Sequence, residues 1–146
     1  FSSIACAQTA PAAYGMPVGI DNAKKVAAAA VAEARKNNWV MAFAVVDTAG
    51  NLVYFEKMDN TQTGSVNVAI EKARSAAMFK RPTKAFQDVV ASGGVGLRIL
   101  GLEGAVPVDG GIPLVEGGRI IGAIGASGGT SEQDEQCAQA GVSVLK

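Results

Sequence analysis

Twice along this chain an apolar run reverses through a tight, glycine-bearing turn into a second strand-like run, with no helix between the two. Val40 to Val46 is a nearly continuous apolar run, Asp47-Thr48-Ala49-Gly50-Asn51 is a turn, and Leu52 to Lys57 returns as the partner. Further on, Ile112 to Glu116 and Arg119 to Ala126 flank Gly117-Gly118, a pair suited to a two-residue hairpin turn. Strands paired without intervening helices argue for an antiparallel sheet with helices packed on it, and against a doubly wound parallel sheet. Ala105 to Val108, ahead of the turn Asp109-Gly110-Gly111, reads as a further strand, which brings the expected number to five. Pro107 and Pro113 mark edges or bulges there, because proline cannot donate to a strand ladder.

Helical periodicity accounts for most of the rest. Ala23, Val26, Ala27, Ala30, Val31 and Ala34 form one face of a helix ending near Lys36, with Asp21 or Asn22 as its expected cap. Ser65 opens a second helix. Its apolar face runs through Val66, Ala69, Ile70, Ala73, Ala76 and Ala77, with Glu71, Lys72 and Arg74 off it. Pro82 ends that segment, and Thr83 is placed to cap a short helix to about Ala91. Ser92-Gly93-Gly94-Val95-Gly96 reads as a mobile loop. Thr130-x-x-Gln133 is a capping box for a last helix to about Leu145.

At 146 residues the chain is one domain in size, able to bury roughly two-thirds of its unfolded surface. Alanine and glycine are abundant, so layers can approach closely. Thirteen basic and thirteen acidic residues cancel, and no run of like charge offers a footprint for nucleic acid or a membrane surface. The longest apolar stretch, Trp39 to Val46, is too short to span a bilayer. Residues 1–17 have a different character and are set apart from a domain at 18–146. Ala5-Cys6-Ala7 followed by Gln8 resembles the small-residue end of a secretory signal, which implies a periplasmic or secreted protein. A plain N-terminal tail on a cytoplasmic protein is the alternative.

No histidine is present. That removes Ser-His-Asp and Cys-His catalysis, the usual zinc sites and the commonest axial ligand of heme. The glycines from Gly122 to Gly129 lie between a strand and a helix but match neither dinucleotide nor phosphate-loop spacing. Glu132, Asp134 and Glu135 also complement the positive end of the following helix and would repel an anion. Asp47 and Asp109 read as turn formers whose carboxylates accept local N–H groups; a paired-carboxylate acid/base site among Asp47, Glu56, Asp59 and Asp109 is open, but no spacing demands it. Spacing favours a solvated helix face for Lys72 and Arg74, against a role in binding a carboxylate.

Four ordered segments together resemble the GlcG/HbpS-like heme-binding family. They are AFAVVDTAGNLVYFEKMD (Ala42 to Asp59), AIEKARSAAMFKRPT (Ala69 to Thr83), PVDGGIPLVEGGRIIGAIGASGG (Pro107 to Gly129) and QDEQCAQAGV (Gln133 to Val142). The resemblance implies an α+β, profilin-like α/β/α sandwich with a five-stranded antiparallel sheet, heme as cofactor, and a homo-oligomer, octameric in one branch. It places the iron-facing hydroxyl on Thr83, within Arg81-Pro82-Thr83. The ligand-binding set it suggests is Thr83, Lys72, Arg74, Arg81, Asp47, Asp109, Gly111 and Pro113. A heme-binding histidine of the corrinoid-associated branch has no counterpart here. Met58, Met78, Tyr54 and Cys137 are the other side chains able to meet iron, each also readable as a packing residue. The expected function is a heme or tetrapyrrole-binding protein. A small-molecule sensor or carrier is the alternative, and an acid/base enzyme built on Asp47, Lys72 or Asp109 comes third.

Overall fold

The computed structural model describes residues 12–145, so the leader-like stretch around Ala5-Cys6-Ala7 lies outside the described residues. In chain order the elements are α1 (Ile20–Lys36), β1 (Ala42–Val46), β2 (Leu52–Lys57), α2 (Ser65–Phe79) and α3 (Thr83–Ala91). A 3-10 helix (Gly94–Gly101), β3 (Gly111–Glu116), β4 (Arg119–Ser127) and α4 (Ser131–Val142) follow. The strands form an antiparallel sheet in the order β2-β1-β4-β3. Both hairpins expected from the sequence are present. The second turns through Gly117 and Gly118 with φ of 57° and 75°, left-handed backbone at both positions.

The sheet has four strands, not five. Ala105 to Val108 is irregular because its donors are spent elsewhere. Pro107 has no N–H, the Val106 N–H goes to Ser75 Oγ at 3.1 Å, and the Asp109 N–H goes to Gln87 Oε1 at 2.8 Å. The segment is thereby tied to α2 and α3 rather than to a neighbouring strand. Pro113 sits in β3, an edge strand, where its missing donor costs no ladder bond.

Two cores flank the sheet. On one face Ala42, Ala44, Val46 and Ala123 meet Ala69, Ala73, Ala76 and Ala77 of α2. On the other, Phe43, Val45, Leu114 and Ile124 meet Val26 and Ala30 of α1 and Cys137 and Ala138 of α4. The α2 layer lies almost on the sheet backbone. A Cβ at Gly125 would run into Ala69 O and Ala73 N, and one at Gly111 would run into Lys72 O. Small residues on both sides of that contact are what permit it.

Three local expectations need correction. α1 is preceded by Gly19 with no side-chain cap, which leaves Asp21 inside the first turn as a charge at the positive helix end. Thr83 does not cap α3. Pro82 holds the cap position, and the Thr83 hydroxyl instead accepts the Gly111 N–H at 2.9 Å. The glycine-rich stretch after α3 leads into the ordered 3-10 helix rather than a loop. The capping box of α4 is formed as expected. The Gln133 N–H reaches Thr130 Oγ1 at 3.2 Å and the Thr130 N–H reaches Gln133 Oε1 at 3.0 Å.

Candidate functional site

Five of the sequence-derived candidates, Lys72, Thr83, Asp109, Gly111 and Pro113, converge where α2, α3, the start of β3 and the start of α4 meet. Lys72 is 1% exposed, contrary to the solvated face that its spacing favours. It shares a helix face with Ser65, Ala69 and Ala76 and is aimed at the point where Gly110 and Gly111 present no side chain. A Cβ on Gly110 would approach Lys72 Nζ to 2.8 Å. The ammonium donates to Asp134 Oδ2 at 2.8 Å and to Ala126 O at 3.0 Å. Asp134 Oδ1 accepts the Gly129 N–H at 2.9 Å. Burial raises the Asp134 carboxyl above its ordinary value, while Lys72 and the N–H groups of Gly129 and Gly128 pull the other way.

Beside this pair, Asp109 is almost fully buried and accepts the Gly110 N–H at 2.8 Å. Burial and then its hydrogen bond and charge contact with Glu135 push its pKa up to about 6, against the smaller pulls of the Gly110 N–H and Lys84. Thr83 is fully enclosed. Pro113 is also buried, two residues along β3 from Gly111. This junction is closed, and its polar groups are satisfied by one another. A ligand would have to part backbone from backbone to reach them.

Arg74, Arg81 and Asp47 lie elsewhere. Asp47 does the local work expected of a turn carboxylate, with Oδ1 accepting the N–H groups of Ala49 and Asn51, each at 2.9 Å. The turn it shapes brings Gly50, at φ 81°, against Arg74 and Met78 on the outer side of α2. Arg74 and Met78 are one helical turn apart, so their side chains lie along one line of that helix. Across from them, the segment after the 3-10 helix closes a groove of about 650 Å³, lined by Glu71, Arg74, Met78, Glu103, Ala105 and Val106. On the far side of Met78 a second depression, of about 550 Å³, is lined by Phe79, Lys80, Arg81 and Ala85.

Met78 is the residue common to both hollows and is half exposed. Around it stand three cations. Arg74 lines one groove, Lys80 lies 4.6 Å from the centre of the Tyr14 ring, and the Arg81 guanidinium lies 5.5 Å from the centre of the Phe86 ring. Arg81 also donates from Nε to Phe79 O at 2.9 Å. Tyr14 is held by its own hydroxyl, which donates to Ala77 O at 2.7 Å. The left-handed turn at Lys80, φ 56°, ends α2, and Lys80 and Arg81 line the second depression rather than the Arg74 groove.

Sequence reasoning missed the partner of Lys72. Asp134 reads as a helix-end charge, although its spacing to Cys137, Ala138 and Gly141 puts it on the buried face of α4. The line through Ser65, Ala69, Lys72 and Ala76 carries the same signal for Lys72. Met78 is named from the sequence as a side chain able to meet iron, but its setting is not legible there, because it is made by Gly50 and by residues 103–106, both distant in sequence. Among the described residues, no group of three or more Cys, Asp and Glu is placed to hold a metal ion.

Comparison with known proteins accounts for this architecture. The family described as "Haem degrading protein HbpS-like" matches residues 18–143. Protein GlcG of Escherichia coli K12 is 39% identical over 105 residues, which span 72% of this chain and 77% of that protein. The crystal structure of a double mutant of Streptomyces reticuli HbpS superposes with a TM-score of 0.82 at 27% identity, covering 100% of this chain and 99% of that one. A crystal structure of a PduOC:heme complex superposes with a TM-score of 0.80 at 27% identity, over 90% of this chain and 96% of that one. By sequence over nearly the whole domain, this chain belongs to the HbpS-like haem-degrading protein family.

Proposed function

We propose that this chain binds heme on the outer side of α2, in the paired hollows that meet at Met78. The observation that carries the reading is the placement of cations on both sides of an apolar centre. Met78, Ala105 and Val106 offer a surface for a flat apolar ring, with Arg74 on one side and Lys80 and Arg81 on the other. Guanidinium and ammonium groups so placed suit the two propionates of heme, which need cationic or N–H donors when they leave bulk water. The donor set therefore fits the group. The family to which the chain belongs, and a structural relative crystallised with heme, support the same reading.

Lys72 and Thr83 serve this site from behind. They fix the height of α2 over the sheet and the start of α3, and so set the spacing between Arg74 and Arg81. Glu71 and Glu103 also line the larger groove. Arg74 is the one cation among the residues that line that side, so a propionate held there depends on it.

The test is a hemin titration of the purified protein. Saturable binding with a sharpened Soret band is expected, and Arg74→Ala should weaken it roughly fivefold, the value of one partly exposed charge-assisted contact. No spectral change on adding hemin removes the proposal. Thermal stabilisation by small carboxylic acids but not by hemin would favour a carrier of organic acids in the Arg74 groove instead.

The protein also acts as an assembly of identical subunits in this reading. Val89 of α3 and Val95, Leu97 and Leu100 of the adjoining 3-10 helix leave large apolar side chains in solvent. Contiguous surface of this kind is covered in stable soluble proteins, and a symmetric second copy covers it at low cost.

A further inference from the structure

We propose that Tyr14 is a positioning residue for the hollow lined by Lys80 and Arg81, a role that rests on the heme-binding reading above. Its hydroxyl closes the end of α2, and its ring holds the Lys80 ammonium where a carboxylate of the ligand reaches it. Of the two hollows that meet at Met78, this one is lined by Met78, Phe79, Lys80, Arg81 and Ala85, with no carboxylate among them. The ion pairs among the described residues are Lys72–Asp134 and Lys84–Asp88, so neither Lys80 nor Arg81 is matched there by an acid.

Tyr14 reaches this place from far away in sequence. β1 stops beside β4 at the Val46–Ala123 pair, while β3 continues along the other side of Ile120. Residues 13–18 take up the side that β1 leaves open. The Ile120 N–H donates to Ala13 O at 2.9 Å, the Gly15 N–H to Ile120 O at 2.8 Å and the Val18 N–H to Ile121 O at 2.8 Å. Gly15 permits the approach, since a Cβ there would stand 2.9 Å from Arg119 Cβ. Main-chain bonds on both sides of Tyr14 thus aim its side chain at the C-terminal end of α2. The hydroxyl donates to Ala77 O at 2.7 Å, with Met78 O at 3.2 Å as a second acceptor.

The last carbonyls of a helix have no partners within it. At the ends of α1, α3 and α4 the N–H of the cap residue returns to such carbonyls. α2 ends at Lys80 in left-handed backbone, φ 56° and ψ 33°, which is disfavoured for a residue with a Cβ. Side chains supply donors there, the Tyr14 hydroxyl on Ala77 O and Arg81 Nε on Phe79 O at 2.9 Å. The same turn lays Lys80 Nζ 4.6 Å from the centre of the Tyr14 ring. Arg81 rests on Phe86, whose ring stands edge-on to Phe79 at 5.4 Å. A lysine stem samples many rotamers, and an aromatic face narrows them by weak attraction. The ammonium is thereby held at the rim without being neutralised, as a carboxylate partner would do.

The experiment titrates wild type, Tyr14→Phe, Tyr14→Leu, Lys80→Gln and the Tyr14→Leu/Lys80→Gln double variant with hemin and with metal-free protoporphyrin IX. Amide hydrogen exchange in the last turn of α2, Ala76 to Phe79, is followed in the same proteins without ligand. Tyr14→Leu should weaken both porphyrins about threefold, the worth of an exposed cation–π contact. Tyr14→Phe keeps the ring and should keep most of the affinity. Both should speed exchange at the end of α2, since both lack the hydroxyl. In the Lys80→Gln background, Tyr14→Leu should cost no further affinity, because its effect passes through the ammonium.

The same loss with and without the Lys80 ammonium would overturn the positioning role, since a general loosening of the fold would then account for it. A Tyr14→Leu protein that binds both porphyrins as tightly as the wild type would overturn it too. Unchanged exchange in both Tyr14 variants would overturn the closing of α2 by the hydroxyl. A wild type that binds neither porphyrin would overturn the heme-binding reading and this role with it, so the wild-type titration separates the two failures.

Discussion

Asp109 shows how a single buried carboxyl can set the pH response of a domain otherwise poor in titrating groups near neutrality. Its pKa of about 6 lies above the ordinary 3.8 of an aspartate, mainly through burial and then through Glu135. Glu135 from α4 and Lys84 from α3 are the ionisable groups that act on it. A folded-state pKa above the unfolded one means that the native state binds the extra proton. The stabilisation is therefore complete below about pH 4 and is lost as pH rises through about 6. Asp109→Asn should flatten this dependence, since an amide oxygen can still accept the Gly110 N–H and its NH₂ can donate to Glu135. Thermal melts across that range should show the wild type losing on the order of 1 kcal/mol that the variant retains, once partial screening is discounted. Equal slopes in the two proteins would locate the pH response elsewhere. From sequence, Asp109 is legible only as the first residue of an Asp-Gly-Gly turn. What buries it is the approach of α3 and α4, which no local pattern encodes. Lys72 teaches the same lesson more sharply. The sequence reading set it on the solvated face, although it shares a helical line with the buried Ser65, Ala69 and Ala76, because a charged side chain there makes sense only once Asp134 supplies the partner. Removing one member of such a pair leaves an uncompensated charge inside the fold.

At the scale of elements, the contact between α2 and the sheet controls everything that stands on α2's outer side. Elements with their own signature were legible. The β1–β2 and β3–β4 turns, the alanine faces of α1 and α2, and the Thr130–Gln133 box all stand where the sequence puts them. The fifth strand was not, because the fate of Val106 and Asp109 depends on Ser75 and Gln87, side chains that lie 31 and 22 residues away. The helix-to-sheet distance was legible only in outline, as an abundance of alanine and glycine. The structure gives that outline a position. Gly125 faces the backbone of Ala69 and Ala73 so closely that a single methyl has nowhere to go. Gly125→Ala should therefore lift α2 from β4 and cost roughly 3 kcal/mol, at the upper end for overpacking a core. Gly117→Ala is a useful comparison, since its Cβ would meet open space and only the left-handed backbone of a surface turn is strained. Chemical denaturation of the two variants should separate them, with the Gly125 variant the weaker. Comparable losses would mean that α2 can shift outward freely. The groove at Met78 would then be softer than its close-packed support implies.

The whole molecule presents its polar and apolar surfaces unevenly, and the unevenness connects the two parts of the proposed function. The far side of the sheet is covered by α1 and α4, which pack on each other as well as on the strands. The α2 side is covered by one helix, with α3 and the 3-10 helix set beside it rather than over it. That leaves the 3-10 helix carrying Val95, Leu97 and Leu100 in solvent. The chain that leaves this helix passes through Leu102 and becomes, at Glu103 to Val106, one wall of the Met78 groove. A second subunit seated on the 3-10 helix would therefore brace the groove wall, and any ligand in the groove would favour the assembled state by mass action. Leu100→Asp separates these ideas. Placing a charge at the centre of the apolar surface should shift the protein to smaller species by size exclusion with light scattering, at unchanged helical content by circular dichroism. Hemin binding by the dissociated form should weaken as well, because its groove wall then rests on hydrogen bonds such as Val106–Ser75 and Ala105–Leu102 without the second subunit behind it. A wild type that is monomeric at the concentrations used would dispose of the assembly. A dissociated variant that binds hemin as tightly as the parent would keep the assembly and cut its link to the ligand.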